Sequence, residues 1–316
     1  MTRPECRICG NNIDNKNFSA KEMMFGLKEV FDYFLCSNCE CLQILKFPQD
    51  MSNYYPSNYY SFSKPRNSFI EKFIKRLRDR YAFYKKGIIG KLIHDRYPDE
   101  GLQALSRLSL TQETKILEVG SGSGRRLLAL KSLGFKNLTG IDPFLENEIK
   151  EDNLKITQDK LTDLNEKWDV IFFYHSFEHL ADPIETLQAV SERLKKNGSC
   201  VISIPTLSSH AWNHYKENWV QLDAPRHFYL YSTKSLKLVA EKAGLNLENI
   251  VYDSTEFQFW GSEQYLQGIP LQSNRSYSVN PSASIFSRSQ IKAYKGKAHL
   301  LNLQNQGDQA TFYFKK

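Results

Sequence analysis

A doubly wound α/β fold, preceded by a small zinc ribbon, is what this 316-residue sequence predicts. Three observations carry that expectation. From residue 111 onward short apolar runs alternate with segments of helical period, the pattern of successive βαβ units. The first run, KILEV, leads into a turn with glycines at 120, 122 and 124. Two Cys-x-x-Cys pairs, Cys6 with Cys9 and Cys36 with Cys39, stand near the start of the chain.

The ribbon comes first. Two thiolates three residues apart can face one ion, and a second such pair closes a tetrahedron. In a reducing compartment this spacing points to structural Zn²⁺ rather than to disulfides. Residues 1–45 hold too little apolar surface to fold alone, so the metal is expected to supply the missing stability. Cys41 and Cys200 receive no role. An aromatic, turn-rich connector, MSNYYPSNYYSFSKPRNS, follows and is expected to lie over the next domain. Residues 69–92 then place apolar side chains at 70, 73, 74, 77 and 81 with Lys and Arg between them, predicting one amphipathic basic helix. Either its basic face is simply solvated, or it meets a membrane surface or an anionic acceptor. The connector and this helix together make up residues 46–105.

The domain from 106 to 316 is expected to carry the chemistry. RRLLALKSLG is helical and stops at Gly134, NLTGID is a second strand and LKIT a third. WDVIFFYHS is the continuous apolar run of a central strand covered on both faces. DPIETLQAVSERLKKNG predicts a helix with Asp182 as cap, Pro183 in the first turn and Gly198 after its end. SCVISIP is a strand, STKSLKLVAEKAG a helix capped by Ser232 or Thr233, and LENIVYD and QATFYFKK are the last strands. Residues 253–308 are polar and short of pattern. They are expected to form an insertion that partly covers the acceptor side.

A glycine turn after the first strand lets a ligand approach the backbone without Cβ obstruction. The dinucleotide fingerprint would need its third glycine where Arg125 stands, which counts against NAD, and no phosphate-cradling Gly-Lys-Ser/Thr loop is present. Asp142 closes the second strand, where a carboxylate can accept from both hydroxyls of a ribose. Taken jointly, LEVGSGSG, GIDP, WDVIFFYHSFEHLADP and LKKNGSCVISIP resemble the class I S-adenosylmethionine-dependent methyltransferases over residues 111–252. That resemblance implies a Rossmann-like, mostly parallel sheet with its last strand antiparallel. It implies that Glu118, Gly120 and Gly122, with Ser121 and Gly124 in the same loop, surround the methionine part of S-adenosyl-L-methionine. It further implies that Asp142 holds the ribose, that Asp159 (with Asp163 as rival) approaches the adenine amino group, and that the backbone at His175 forms the floor. The paired CxxC elements, a YYP-x-x-YY connector and PRHFYLYS also resemble a subgroup associated with surface-polysaccharide or sugar-linked biosynthesis. The chain lacks the long C-terminal domain of the larger sugar C-methyltransferases, so their catalytic assignments do not carry over.

Methyl transfer is an in-line displacement, and a hydroxyl acceptor needs its proton removed. HSFEH supplies His175, Glu178 and His179, and His227 follows in LDAPRHFYLYS. Three readings stand side by side. One histidine, His227 first and His175 next, acts as general base with His179 nearby. Alternatively the group binds a divalent ion, resembling the ExxEH pattern of small-RNA 2′-O-methyltransferases and ubiquinone-pathway O-methyltransferases, although His175 in place of the first Glu disfavours Mg²⁺. Or Glu178 and His179 merely cap and pack the turn. Among the nearby aromatics, Phe228 and Tyr231 are expected in the core, while Trp219 and Tyr215 are placed to stack on a sugar ring or base. Arg226 is expected either to bind a phosphate or carboxylate or to pair with Asp223.

The charge balance of 42 Lys+Arg against 35 Asp+Glu gives +7, mildly favourable to anionic partners. No apolar run approaches the roughly 20 residues of a membrane span, and MTRPECRICG lacks a signal-peptide core, so a cytoplasmic location is expected. The expected function is O-methylation of a small-molecule or glycan acceptor, nucleotide- or lipid-linked, rather than of nucleic acid. RNA 2′-O-methylation, a quinone-pathway O-methylation and a cofactor-binding module without catalysis are the alternatives.

Overall fold

Strand alternation around a continuous apolar run sets the architecture. A computed structural model describes residues 4–55, 68–145 and 147–316. Most of the tyrosine connector, including Tyr59 and Tyr60, lies outside the described residues. The cysteine-bearing segment forms an antiparallel meander of β1 (Lys16–Lys21), β2 (Val30–Leu35) and β3 (Leu42–Ile44). Three helices follow: α1 (Phe69–Tyr84), α2 (Ile88–Arg96) and α3 (Glu100–Ser106). The single helix expected over 69–92 is thus two. Lys85 and Gly87 both take positive φ, 55° and 102°, and reverse the chain. Gly90 then brings α2 against α1, where a Cβ would stand only 2.3 Å from the Leu77 carbonyl oxygen.

The main sheet is built from β4 (Lys115–Val119), β5 (Asn137–Ile141), β6 (Ile149–Glu151), β7 (Leu154–Thr157), β8 (Trp168–Tyr174) and β9 (Leu194–Pro205), with α4 (Arg125–Ser132) and α5 (Pro183–Arg193) as crossovers. The rest of the chain adds α6 (His210–Tyr215), β10 (Tyr229–Leu230), α7 (Thr233–Lys242), β11 (Asn246–Tyr252), α8 (Phe257–Leu266), α9 (Arg288–Leu303) and β12 (Gln309–Lys315). The strand order is β11-β12-β9-β8-β4-β5-β7-β6. β7, β5, β4, β8 and β9 run parallel, and β12 is antiparallel to both of its neighbours, as expected. In β8, Trp168 and Val170 to Phe173 are buried, which explains its unbroken apolar run. Strand order reverses between β4 and β8, which opens a crevice at their carboxyl ends.

Two expectations fail locally. α5 stops at Arg193 instead of running to Gly198, because Leu194 already pairs with Trp168 and the strand starts there. The insertion, expected to partly cover the acceptor side, instead folds into α8 and α9 over residues 210–222 and contributes no described residue to the crevice. Under it lie Trp212, Tyr215 and Trp219, all buried, so these aromatics are core and cannot stack on a substrate. Trp219 donates its indole N–H to Asp308 at 2.9 Å, and the Tyr215 hydroxyl donates to Glu263 at 2.8 Å. Phe228, expected inside, is only half-buried.

The meander is stitched to the main sheet. β10 pairs with β3, and Tyr231 bridges to Thr206 at the end of β9. The Tyr33 hydroxyl donates to the His227 carbonyl (2.9 Å), and the Ser232 hydroxyl donates to the Cys39 carbonyl (3.1 Å). Arg226, fully buried, bonds both Asp223 (2.5 Å) and Glu22 (3.0 Å). It is an internal tie between segments, not a ligand-binding cation.

Candidate functional site

The carboxyl ends of β4, β5, β7 and β8 line a cleft of about 960 Å³, within the usual range of small-ligand sites. Its floor is backbone. Gly120, Gly122 and Gly124 have φ of 72°, 52° and 71°, a region that costs a side-chain-bearing residue strain. At Gly120 a Cβ would also meet the Cβ of Ser176 at 2.4 Å. The Gly120 and Ser121 amides both donate to the Ile141 carbonyl, at 2.8 and 3.1 Å, so the loop is pinned to the tip of β5. The Asp142 carboxylate accepts from the Gly122 amide at 2.8 Å and from the Phe144 amide at 2.9 Å. Gly120, Ser121, Gly122, Asp142 and Asp159 all line the cleft.

Asp159 and Asp163 differ in position. Asp159 lines the cleft and accepts from the Thr157 hydroxyl at 2.6 Å, whereas Asp163 closes a short helical turn and does not. Gly124 is not among the lining residues; its bare Cα instead admits the Ile156 side chain. Glu118 is seated one layer deeper than expected. It is buried, absent from the lining, and ion-paired with Arg126, whose guanidinium also stacks 4.3 Å from the Tyr174 ring. Burial pushes the Glu118 carboxyl up, against the field of Arg126.

At the other end stand the histidines. His175 and His179 line the cleft; His227 does not, and its ring lies behind that of His179 with centroids 4.8 Å apart. Behind them Glu178 is completely buried, and neither of its carboxylate oxygens has a hydrogen-bond partner among the described residues. His175 Nδ1 is 3.5 Å from Glu178 Oε1, and His227 Nε2 is 3.8 Å from the same atom. Burial pushes the Glu178 carboxyl up, but the neighbouring His175, then His179 and His227, outweigh it and hold the group below the usual carboxylate range. Burial and the nearby His179 push His227 down, overriding Asp223 and Glu178. Its Nδ1–H donates to the Gln221 carbonyl (2.8 Å), and that of His179 donates to the Arg226 carbonyl (2.8 Å). Each tautomer is thereby set, with Nε2 left unprotonated in the neutral ring. Glu178, His179 and His227 also bring donor atoms within 4.8 Å of one another, close enough to hold a cation.

Sequence reasoning missed part of the lining. Tyr55 reaches over from the connector, its hydroxyl 3.2 Å from His179 Nδ1, and Phe144 lies beside Asp142. Lys75 and Arg78 of α1 also border the cleft. The tyrosine-rich connector and the basic helix were the available signals, but nothing local told which of their residues would face inward.

In the N-terminal meander, packed against the core of the main sheet, one sulfur from each of Cys6, Cys9, Cys36 and Cys39 lies within 4.8 Å of the others, and none forms a disulfide. The close pairs, Cys6 with Cys39 and Cys9 with Cys36, are 3.5 Å apart, near the roughly 3.8 Å edge of a tetrahedral Zn–S₄ centre. The Cys39 thiol, against burial, and the Gln43 amide hydrogen-bond the Cys6 sulfur and hold it well below the ordinary thiol range. The donor set is compatible with zinc.

A family model described as a methyltransferase domain matches residues 89–250, half of the chain. The chain belongs to that methyltransferase family. The family supports S-adenosylmethionine as the methyl donor, and the glycine loop and Asp142 line the same cleft as His175 and His179. The methyltransferase is 31% identical over 98 residues to the tRNA U34 carboxymethyltransferase of Campylobacter hominis, an alignment covering 28% of this chain and 34% of that protein. It therefore spans about a third of the length of the curated relative it matches. Among solved structures it is similar to a chain in a complex between the Haloferax volcanii Trm112 methyltransferase activator and a methyltransferase (18% identity, 75% of this chain and 96% of that one, TM-score 0.46). It is also similar to the cyclopropane synthase MmaA2 of Mycobacterium tuberculosis (13% identity, 77% and 93%, TM-score 0.45).

Proposed function

We propose that this methyltransferase methylates a hydroxyl of a sugar-containing acceptor, with His175 as general base and Glu178 as the group that orients it. The observation that carries the reading is the fully buried Glu178 carboxylate, 3.5 Å from Nδ1 of a histidine that lines the cleft beside the glycine loop. A carboxylate on the Nδ1 side favours the tautomer whose Nε2 can take a proton, and it stabilises the imidazolium that results. His227, our first candidate from sequence, serves from behind the cleft as a neutral packing partner of His179. S-adenosylmethionine supplies, when bound, a methyl group on a sulfonium. The loop at Gly120 and Gly122 would hold its methionine part, Asp142 its ribose and Asp159 its adenine. What the chain itself would contribute is alignment, with the cleft holding the acceptor hydroxyl between His175 and the glycine loop so that His175 Nε2 could take its proton. The sugar assignment is supported by the sequential arrangement of paired CxxC elements, tyrosine connector and PRHFYLYS.

A second reading, an RNA acceptor, is favoured by the tRNA-modifying relative and the net charge of +7. One experiment separates them: tritiated methyl transfer from S-adenosylmethionine into fractionated nucleotide-sugar, glycolipid and RNA pools. Label is expected in a sugar-containing pool, with turnover indifferent to removal of Mg²⁺. Label in RNA instead would overturn the sugar reading, and no label anywhere, with cofactor binding intact, would mark a binding module. Asp142→Ala should weaken cofactor affinity by about a hundredfold with the circular dichroism spectrum unchanged, since it leaves two loop amides without their acceptor; undiminished affinity rejects the ribose role.

A further inference from the structure

The charge of this chain is concentrated in one place. Between residues 69 and 97 there are nine basic and three acidic side chains, so the α1–α2 hairpin has a net charge of +6 and the remaining residues together only +1. The same hairpin presents a run of apolar side chains to solvent: Phe69, Ile70, Phe73 and Ile74 on α1, and Ile88, Ile89 and Leu92 on α2, from 42% to 87% exposed. On α1 these residues cannot be explained as the edge of the core. At 3.6 residues per turn they occupy one side of the helix, while the buried Arg78, Asp79, Ala82 and Phe83 occupy the opposite side. The helix therefore has one face for the protein and a second, apolar and bordered along one edge by Arg76 and Arg80, for something else. Lys75 and Arg78 of the same helix border the cleft.

We propose that the α1–α2 hairpin seats the enzyme on an anionic lipid bilayer, with the cleft mouth beside the headgroup layer. Exposed aliphatic side chains flanked by cations are the chemistry of an interfacial helix, which buries its apolar face at the acyl boundary while Lys and Arg meet anionic headgroups. A nucleic acid would match the cations but gain nothing from four isoleucines. A second copy of this chain would bring one +6 hairpin against another. The inference stands on the hairpin alone and does not require the sugar reading. If both hold, the acceptor is met at the membrane surface.

The test is sedimentation of the full chain with phosphatidylcholine vesicles containing about one third phosphatidylglycerol, and with vesicles of phosphatidylcholine alone. The protein is expected to pellet with the anionic vesicles and to be released in part by high salt. The variant carrying Ile70→Ser, Ile74→Ser, Ile88→Ser and Ile89→Ser, and a second carrying Lys72→Glu, Arg76→Glu and Lys86→Glu, should each lower the partition coefficient by at least about tenfold. Calorimetric affinity for S-adenosylmethionine should be unchanged in both. Wild-type protein left in the supernatant overturns the proposal, as does an isoleucine variant that pellets equally well. A wild-type dimer that the isoleucine variant converts to monomer would assign the face to self-association. Binding to poly(U) lost in the charge variant but kept in the isoleucine variant would assign it to nucleic acid. Failure of wild-type protein to bind S-adenosylmethionine would break the functional reading and leave the vesicle result intact.

Discussion

The two ends of the cleft are shaped by different means. At the glycine-loop end the shape is set by backbone: three glycines at positive φ, two amides on the Ile141 carbonyl, and an Asp142 carboxylate with both oxygens bonded to main-chain N–H groups. At the histidine end the shape is set by side-chain charge, with a fully buried Glu178 facing His175 Nδ1 at 3.5 Å and His227 Nε2 at 3.8 Å. A backbone-built site keeps its form when empty, because its polar groups already have partners. A buried carboxylate faced by imidazoles rather than by main-chain N–H groups is held against its desolvation penalty, and it has the most to gain from a proton or cation arriving nearby. The glycine-loop end should therefore respond to steric substitutions and the histidine end to charge and pH.

That contrast can be broken in four ways, in descending order of effect. His175→Gln should lower kcat by about 10²–10³-fold, the usual contribution of a general base, while the dissociation constant for S-adenosylmethionine stays within about twofold. An equal loss in both would merge the two ends. Acid should act mainly through the histidine end. His227 is pushed down to about 4 in the fold, chiefly by burial, so between pH 6.5 and 4 the unfolded chain binds a proton that the native chain refuses. Its contribution is fully present above about pH 6.5 and is lost as pH falls towards 4, by up to about 3 kcal/mol. Urea unfolding at several pH values should show that loss in the wild type and a flatter profile in His227→Asn; parallel profiles would exclude His227 as the source. Gly120→Ala should weaken cofactor binding by about 30- to 100-fold through strain and the clash with Ser176, and should leave the pH dependence of stability alone. Smallest is Asp159→Asn. That side chain is 41% exposed, and about a threefold loss of affinity is expected, read by calorimetry.

Legibility followed locality. The KILEV strand, the glycine turn, the Asp142 position and the CxxC pairs were readable because each depends on neighbours a few residues away. The cleft-lining part of Tyr55 was not, since its contact is with His179, 124 residues on. Tyr215 and Trp219 were misplaced for the same reason. Their exposure is decided by α8 and α9, helices in a polar stretch that shows no clear period and is held by packing rather than by pattern. The histidine cluster was half readable: HSFEH sets His175, Glu178 and His179 together, but only the fold puts His227 behind the cleft instead of at its rim.

By itself the sequence determined the α/β alternation, the glycine turn and the two CxxC knuckles, because backbone conformational preference and ligand spacing act over single turns; joining the knuckles, with Cys6 against Cys39, was left to the fold. Tertiary structure decided which polar residues face the cleft and which are buried ties. Arg226 is the clearest case: its role depends on Glu22 lying beside it, a neighbour 204 residues away in the chain. Whether a buried charge is a ligand or a brace depends on what surrounds it in space, and short-range pattern does not carry that information.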